Sequence, residues 1–380
     1  MCRALEICLA LVCVMTQADC CQRAAAQVTS SSFTRLNLKD YGWQSLPKAH
    51  EWVGTSSRLV SIDKEGRLLV GFTTRENLSL ATREHPGLSL HILRFTSEGK
   101  LDVSLILPTN NWFNNGLYVG ADDRVFARAN NAFQFLSEQH GAGDAVWVWK
   151  TLAPCSMECT IIQSPSRLTF IVRDSQEGRK QSYIVRDTSA AAPPTVNICP
   201  WIDSYGQAIT DRFVYHSTDG IRTDALRWPL CEQGHKTELP LSMRNGAIRP
   251  LSDDALLLLG TPIGNKGPLR GVDLLGPGGQ VKFHQEMPTH DIVVPIWTAL
   301  DETGDHFAFT VETWRGGSRP LDISGKRVAR RVVVYDIDGH ELASVPVSST
   351  YHRDFDFALS PDGHRLAVLD EGIVITLEIR

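Results

Sequence analysis

The chain has 380 residues, 42% of them hydrophobic and 21% charged, with a formal net charge of −5. That balance suits a folded chain with a sizeable core and excludes a disordered one. Lysine and arginine are interspersed with acids instead of forming a basic stripe, which argues against nucleic acid as a partner.

Residues 1–26 read as a secretion signal: Arg3 supplies positive charge, Ile7 to Val14 is a short apolar run, and Ala24-Ala25-Ala26 offers a small-residue cleavage site. The run is too short for a membrane helix, which needs about 20 residues, and no later segment approaches that length, so no membrane span is expected. Cys20 and Cys21 raise the alternative of a lipid anchor, but Asp19 stands where a lipidation site wants a small residue. Cleavage near Ala26 implies a secreted or periplasmic protein. The mature chain then keeps Cys155, Cys159, Cys199 and Cys231, an even set that implies two disulfides in an oxidising compartment. Four cysteines allow three pairings. The Cys155–Cys159 spacing suits a small loop bridge, leaving Cys199 for Cys231. Neither spacing is that of a zinc site, so no metal and no cofactor is expected.

After an N-terminal segment over 27–56, residues 57–380 read as one domain with a repeated grammar of apolar run, polar turn and apolar run. Leu59–Ile62 turns at Asp63-Lys64-Glu65-Gly66 into Arg67–Val70. Leu117–Val119 turns at Ala121-Asp122-Asp123, and Ile162 leads through Ser164-Pro165-Ser166-Arg167 into Leu168–Val172. Phe213–Tyr215 passes through Ser217-Thr218-Asp219-Gly220, and Ile248 leads through Ser252-Asp253-Asp254. Trp297–Leu300 turns at Asp301-Glu302-Thr303-Gly304. A second turn class, at Ser97-Glu98-Gly99, Gly276-Pro277-Gly278-Gly279 and Asp336-Ile337-Asp338-Gly339, reads as hairpins between outer strand pairs. No stretch sustains a 3.6-residue period, so an all-β chain is expected.

The last and clearest copy runs Phe355-Asp356-Phe357-Ala358-Leu359-Ser360-Pro361-Asp362-Gly363-His364-Arg365-Leu366-Ala367. Proline presets φ, Asp bonds its own backbone, and Gly takes positive φ, which fixes the turn. This wording resembles the repeat of TolB-like and WD-repeat-like β-propellers. The resemblance implies a single propeller of four-stranded blades, seven by the spacing of the turns, with six and eight as the alternative counts. Only three strands remain for the last blade, so Phe33–Leu38 is expected to supply its fourth and close the ring, which removes an exposed sheet edge.

No nucleophile elbow, metal helix or phosphate loop is present in the sequence. The candidate ligand-binding residues are His352, Arg353 and Asp354 before the last inner strand, Trp314 and Arg315 in a Gly-, Arg- and Pro-containing insertion, and Asn111 and Trp112 in an Asn-rich loop. Each has a structural alternative: inter-blade ion pairs, a packed indole or ordinary turn amides. Asp336-Ile337-Asp338-Gly339 reads as a hairpin turn in preference to a calcium loop. Asn77-Leu78-Ser79 matches a glycosylation acceptor. The expected function is a monomeric binding module for a protein, peptide or glycan. The alternative is a propeller hydrolase or lyase with a polar or metal-assisted site in the channel.

Overall fold

A computed structural model of the chain describes residues 34–43, 58–75, 88–109, 116–120, 123–129, 131–139, 146–156, 159–175, 180–189, 191–201, 207–217, 224–232, 237–240, 243–252, 255–262, 271–276, 279–288, 290–301, 303–315, 326–348 and 356–379. Residues 1–26, read above as a secretion signal, and Asn77, Asn111, Trp112, His352, Arg353 and Asp354 lie outside the described residues.

After β1 (Thr34–Asn37) and one 3-10 turn, blade one is β2 (Arg58–Ile62), β3 (Leu68–Arg75), β4 (Leu88–Phe95) and β5 (Leu101–Thr109). Blade two is β6 (Leu117–Val119), β7 (Val125–Ala129), β8 (Ala132–Gln139) and β9 (Val146–Pro154). Blade three is β10 (Thr160–Gln163), β11 (Thr169–Asp174), β12 (Gln181–Arg186) and β13 (Thr195–Cys199). Blade four is β14 (Gln207–Ile209), β15 (Phe213–Ser217), β16 (Asp224–Pro229) and β17 (Thr237–Pro240). Blade five is β18 (Met243–Ser252), β19 (Ala255–Pro262), β20 (Gly271–Leu275) and β21 (Val281–Glu286). Blade six is β22 (Asp291–Leu300), β23 (His306–Arg315), β24 (Lys326–Asp336) and β25 (Glu341–Val347). Blade seven is β26 (Phe357–Leu359), β27 (Arg365–Asp370) and β28 (Ile373–Glu378), with β1 paired antiparallel to β28 from Thr34↔Thr376 to Asn37↔Ile373. The result is seven antiparallel four-stranded sheets, the last closed by the N-terminal strand. No helix among the described residues is long and apolar enough to cross a membrane.

The apolar runs explain the stacking. A second strand of each blade is covered on both faces, so alternate residues enter two different cores and the strand reads as continuously apolar. In β27, Leu366 and Val368 face the core shared with blade six, while Ala367 and Leu369 face the core shared with blade one. In β11, Phe170 and Val172 pack toward blade two and Ile171 toward blade four. In β23, Phe307, Phe309 and Val311 pack toward blade five. Each neighbouring pair of blades thus shares its own apolar core. Truncating a fully buried Phe such as Phe309 should cost about 3–5 kcal/mol.

Cys155–Cys159 bridges the crossover from β9 to β10, and Cys199–Cys231 ties β13 of blade three to the end of β16 in blade four. Trp147 and Trp149 lie on one face of β9 and pack in the core between blades one and two. One repeat needs correction. Phe213–Ser217 is the second strand of blade four, so the turn from first to second strand is Thr210-Asp211-Arg212, and Ser217-Thr218-Asp219-Gly220 follows the second strand. The first strand there has only three residues, too short to show alternation, while Asp-Gly gives the louder turn signal further on.

Candidate functional site

The turns from first to second strand gather on one face of the ring, around its axis. Most share a reciprocal pair of bonds. The residue that ends the first strand donates its N–H to the residue that opens the second: Asp63 to Arg67, 3.0 Å; Ser164 to Thr169, 2.9 Å; Asp301 to His306, 3.2 Å; Ser360 to Arg365, 2.9 Å. Its side chain accepts in return, from Arg67 N at 2.8 Å, Thr169 N at 3.1 Å, His306 N at 3.2 Å and Arg365 N at 2.9 Å. This is why Asp and Ser recur at that position.

The fourth residue of these turns takes positive φ. Glycine stands there at Gly66 (φ 76°), Gly304 (φ 75°) and Gly363 (φ 72°). In blades two and three the same place is held by Asp123 (φ 59°) and Arg167 (φ 64°). An L side chain in the left-handed region costs on the order of 1–2 kcal/mol, most for a residue such as Arg that makes no local Asx bond. Both strained side chains are directed at the same spot. Arg167 Nη1 donates to Ser61 Oγ at 2.7 Å, reaching from blade three to the first strand of blade one. Asp123 hydrogen-bonds Asp63 and feels the Arg167 charge.

The two carboxyl groups divide their roles. Burial, then the charge of Asp63, pushes Asp123 up to about 7, although Arg167 opposes the shift. On Asp63 burial also acts upward, but the side-chain and backbone bonds from Arg67 and the Asp123 bond outweigh it and leave the group below its ordinary value. Below about pH 7 the pair therefore holds a proton on Asp123, while Asp63 is the carboxylate. Asp63 further accepts from Glu65 N at 2.9 Å and from Arg67 Nε at 2.5 Å.

Neighbouring turns are tied in the same manner. Asp211 of blade four accepts from Ser164 Oγ at 2.9 Å and Ser166 Oγ at 2.8 Å of blade three. His306 Nδ1 meets Asp301 Oδ2 at 2.7 Å in blade six, beside Gly363 of blade seven, where a Cβ would run into the His306 ring. Inside this collar the first strands enclose a cavity of about 390 Å³ along the axis. Its described lining includes Arg167, Arg249, Thr298 and Gln163, with Ser61, Ser164 and Tyr118, among apolar residues.

Trp314 and Arg315 end β23 at the opposite face from the His306 turn, so the structure does not bring them to the cavity. Trp314 is half-buried and its Nε1 donates to Glu312 Oε2 at 3.0 Å. Glu312 Oε1 also accepts from Arg327 Nη1 at 2.9 Å and Arg330 Nε at 2.9 Å. Arg315 is exposed and lies opposite Lys326. His284 Nδ1 bonds Asp273 Oδ1 at 2.5 Å, and Asp291 accepts from Thr313 Oγ1 and Arg331 Nη2. Asp336, Asp338 and His340 come close together, but Asp336 accepts from His340 N at 2.8 Å and from its ring at 2.9 Å, which is turn closure. The residues that sequence reasoning missed, Asp123 and Arg167, carried a signal: they replace Gly in the turn phrase.

Compared by sequence, no family model and no curated protein matches the chain. Among solved structures, the chain is similar to the crystal structure of the mitotic checkpoint complex at 10% identity, with 91% of this chain and 93% of that chain covered and a TM-score of 0.46. It is also similar to the C-terminal WD40 domain of Sif2 at 12% identity, with 86% and 97% covered and a TM-score of 0.45. By its seven four-stranded blades and closing strand, the fold is a seven-bladed β-propeller.

Proposed function

We propose that the chain is a secreted or periplasmic binding module that takes a protein, peptide or glycan ligand at the face of the ring carrying the first-to-second-strand turns. One observation carries this reading. Asp123 and Arg167 hold strained backbone where glycine serves in three other turns of the ring; Arg167 lines the axial cavity, and Asp123 is hydrogen-bonded to Asp63 within reach of the Arg167 charge. Strain kept at one site against the local rule of the repeat is a mark of function. The signal-like segment over 1–26, the TolB-like wording of the last turn and two disulfides, one within a crossover loop and one between blades three and four, support the oxidising, extracytoplasmic setting.

A display library of random peptides and a glycan array, panned against the purified full chain, test the reading. Enriched ligands should lose binding to Arg249→Ala and keep it to Ile106→Ala on the outer rim. Ligands that respond only to the rim change would refute it. The catalytic alternative has Asp123 as its one favouring observation, a carboxyl group poised near neutrality. Turnover of an enriched ligand, lost in Asp123→Asn, would make the ring an enzyme.

A further inference from the structure

The axial cavity combines cationic and apolar lining. Arg167 and Arg249 are its charged lining groups, and no Asp or Glu lines it among the described residues. Asp211 accepts from the Ser164 and Ser166 hydroxyls, and Asp63 accepts from its own turn. Thr298 lines the same cavity, only 7% exposed, and its Oγ1 has no hydrogen-bond partner among the described residues. A buried hydroxyl left in that state carries a desolvation penalty, which a bound polar group removes. Around these groups stand Leu59, Ile162, Ile209, Leu300 and Phe357. The volume, about 390 Å³, lies in the range of small-ligand pockets.

We infer that the axial cavity binds an organic carboxylate with an apolar body, held by the guanidinium groups of Arg167 and Arg249 and the hydroxyl of Thr298. This rests on the binding-module reading and names its ligand chemistry. A guanidinium fork matches the planar carboxylate, and the charge-assisted bonds are strongest where water is excluded. The apolar wall takes the remainder of the ligand. The carboxylate has two sources, a free aliphatic acid or the C-terminus of an apolar peptide.

Calorimetric titration of the full chain tests the inference with two matched pairs: hexanoate against hexanamide, and an acetylated trialanine with a free C-terminus against its amide. At least one acid should bind about tenfold more tightly than its amide, since the lost charge-assisted bond is worth that factor. Hexanoate alone identifies the free acid as source; the peptide alone identifies the C-terminus. Arg249→Gln should abolish the preference. Thr298→Val should weaken the acid by about fivefold while leaving the unliganded melting temperature equal or higher, a split that a purely structural hydroxyl does not give. Equal binding of acid and amide overturns the inference and leaves the binding module standing. So does competition by inorganic phosphate at concentrations below that of the acid. Failure of all four probes while panned ligands still bind the face overturns the inference alone; failure of both experiments overturns both readings.

Discussion

Arg167 Nη1 on blade three donates to Ser61 Oγ on blade one at 2.7 Å, so one guanidinium spans the mouth of the axial cavity past blade two. Asp123 and Asp63 share a hydrogen bond within reach of the Arg167 charge, so the turns of blades one, two and three meet in one polar cluster. Three turns of the ring place glycine at the positive-φ position, and blades two and three place Asp123 and Arg167 there.

Asp123 makes the fold pH-sensitive in a definite direction. Its folded value, about 7, lies above the ordinary 3.8, so the folded chain binds this proton more tightly than the unfolded chain. Stability from this group is complete below about pH 4 and falls as pH rises to about 7. Asp63 is lowered, so its contribution is lost only on acidification below the ordinary carboxylate range. The exposed His340, raised first by its bond to Asp336, also loses stabilisation as pH rises. The difference between wild type and Asp123→Asn in urea midpoints at pH 5 and pH 8 isolates Asp123. Wild type should lose more stability over that interval; equal losses would contradict the carboxyl pair.

The two disulfides should differ in weight. Cys199–Cys231 closes a separation of 32 residues and Cys155–Cys159 one of 4. Loop-closure entropy then assigns them about 4 and about 2 kcal/mol. The small loop also keeps other supports: buried Arg128 donates to the Ser156 and Cys159 carbonyls, and Ser156 N donates to Asp174 Oδ1 at 3.0 Å. Replacing Cys199 and Cys231 by Ser should lower the melting temperature more than replacing Cys155 and Cys159. The reverse order would show that the crossover loop, not the tie between blades three and four, limits stability.

At the opposite face Glu312 is the anchor. Arg330 is buried against it, so Glu312→Ala removes the carboxylate that faces a buried cation and should cost roughly 3–5 kcal/mol. Trp314→Phe removes one indole hydrogen bond and should cost about 1 kcal/mol. Urea denaturation of the two variants checks the order. Near-equal losses would mean that the indole, not the carboxylate, holds this end of blade six.

Much of the ring was legible in the sequence because its signals are local. Ser360-Pro361-Asp362-Gly363 contains its own turn chemistry, and the shortfall of strands after Gly363 called for β1 to complete the sheet. Blade four was harder, since β14 is too short to alternate and Thr210-Asp211-Arg212 carries no Gly or Pro. The site was mostly hidden for a different reason. Ser61, Arg167, Arg249 and Thr298 line the cavity from four different blades, with Asp123 of a fifth bonded to Asp63 beside Arg167, and only ring closure brings them together. Two of them, Asp123 and Arg167, were marked in advance by standing in a glycine's place.

Arg167→Gly, measured by unfolding free energy without ligand and by calorimetric binding of the acid probe, is the most direct test. Relief of left-handed strain is on the order of 1–2 kcal/mol. It offsets a lost hydrogen bond of about 1 kcal/mol and added chain flexibility of about 0.5–1 kcal/mol. Stability should therefore stay within about 1 kcal/mol of wild type while binding at the cavity is lost. A large loss of stability with cavity binding intact would contradict the functional reading and make Arg167 a structural tie between blades.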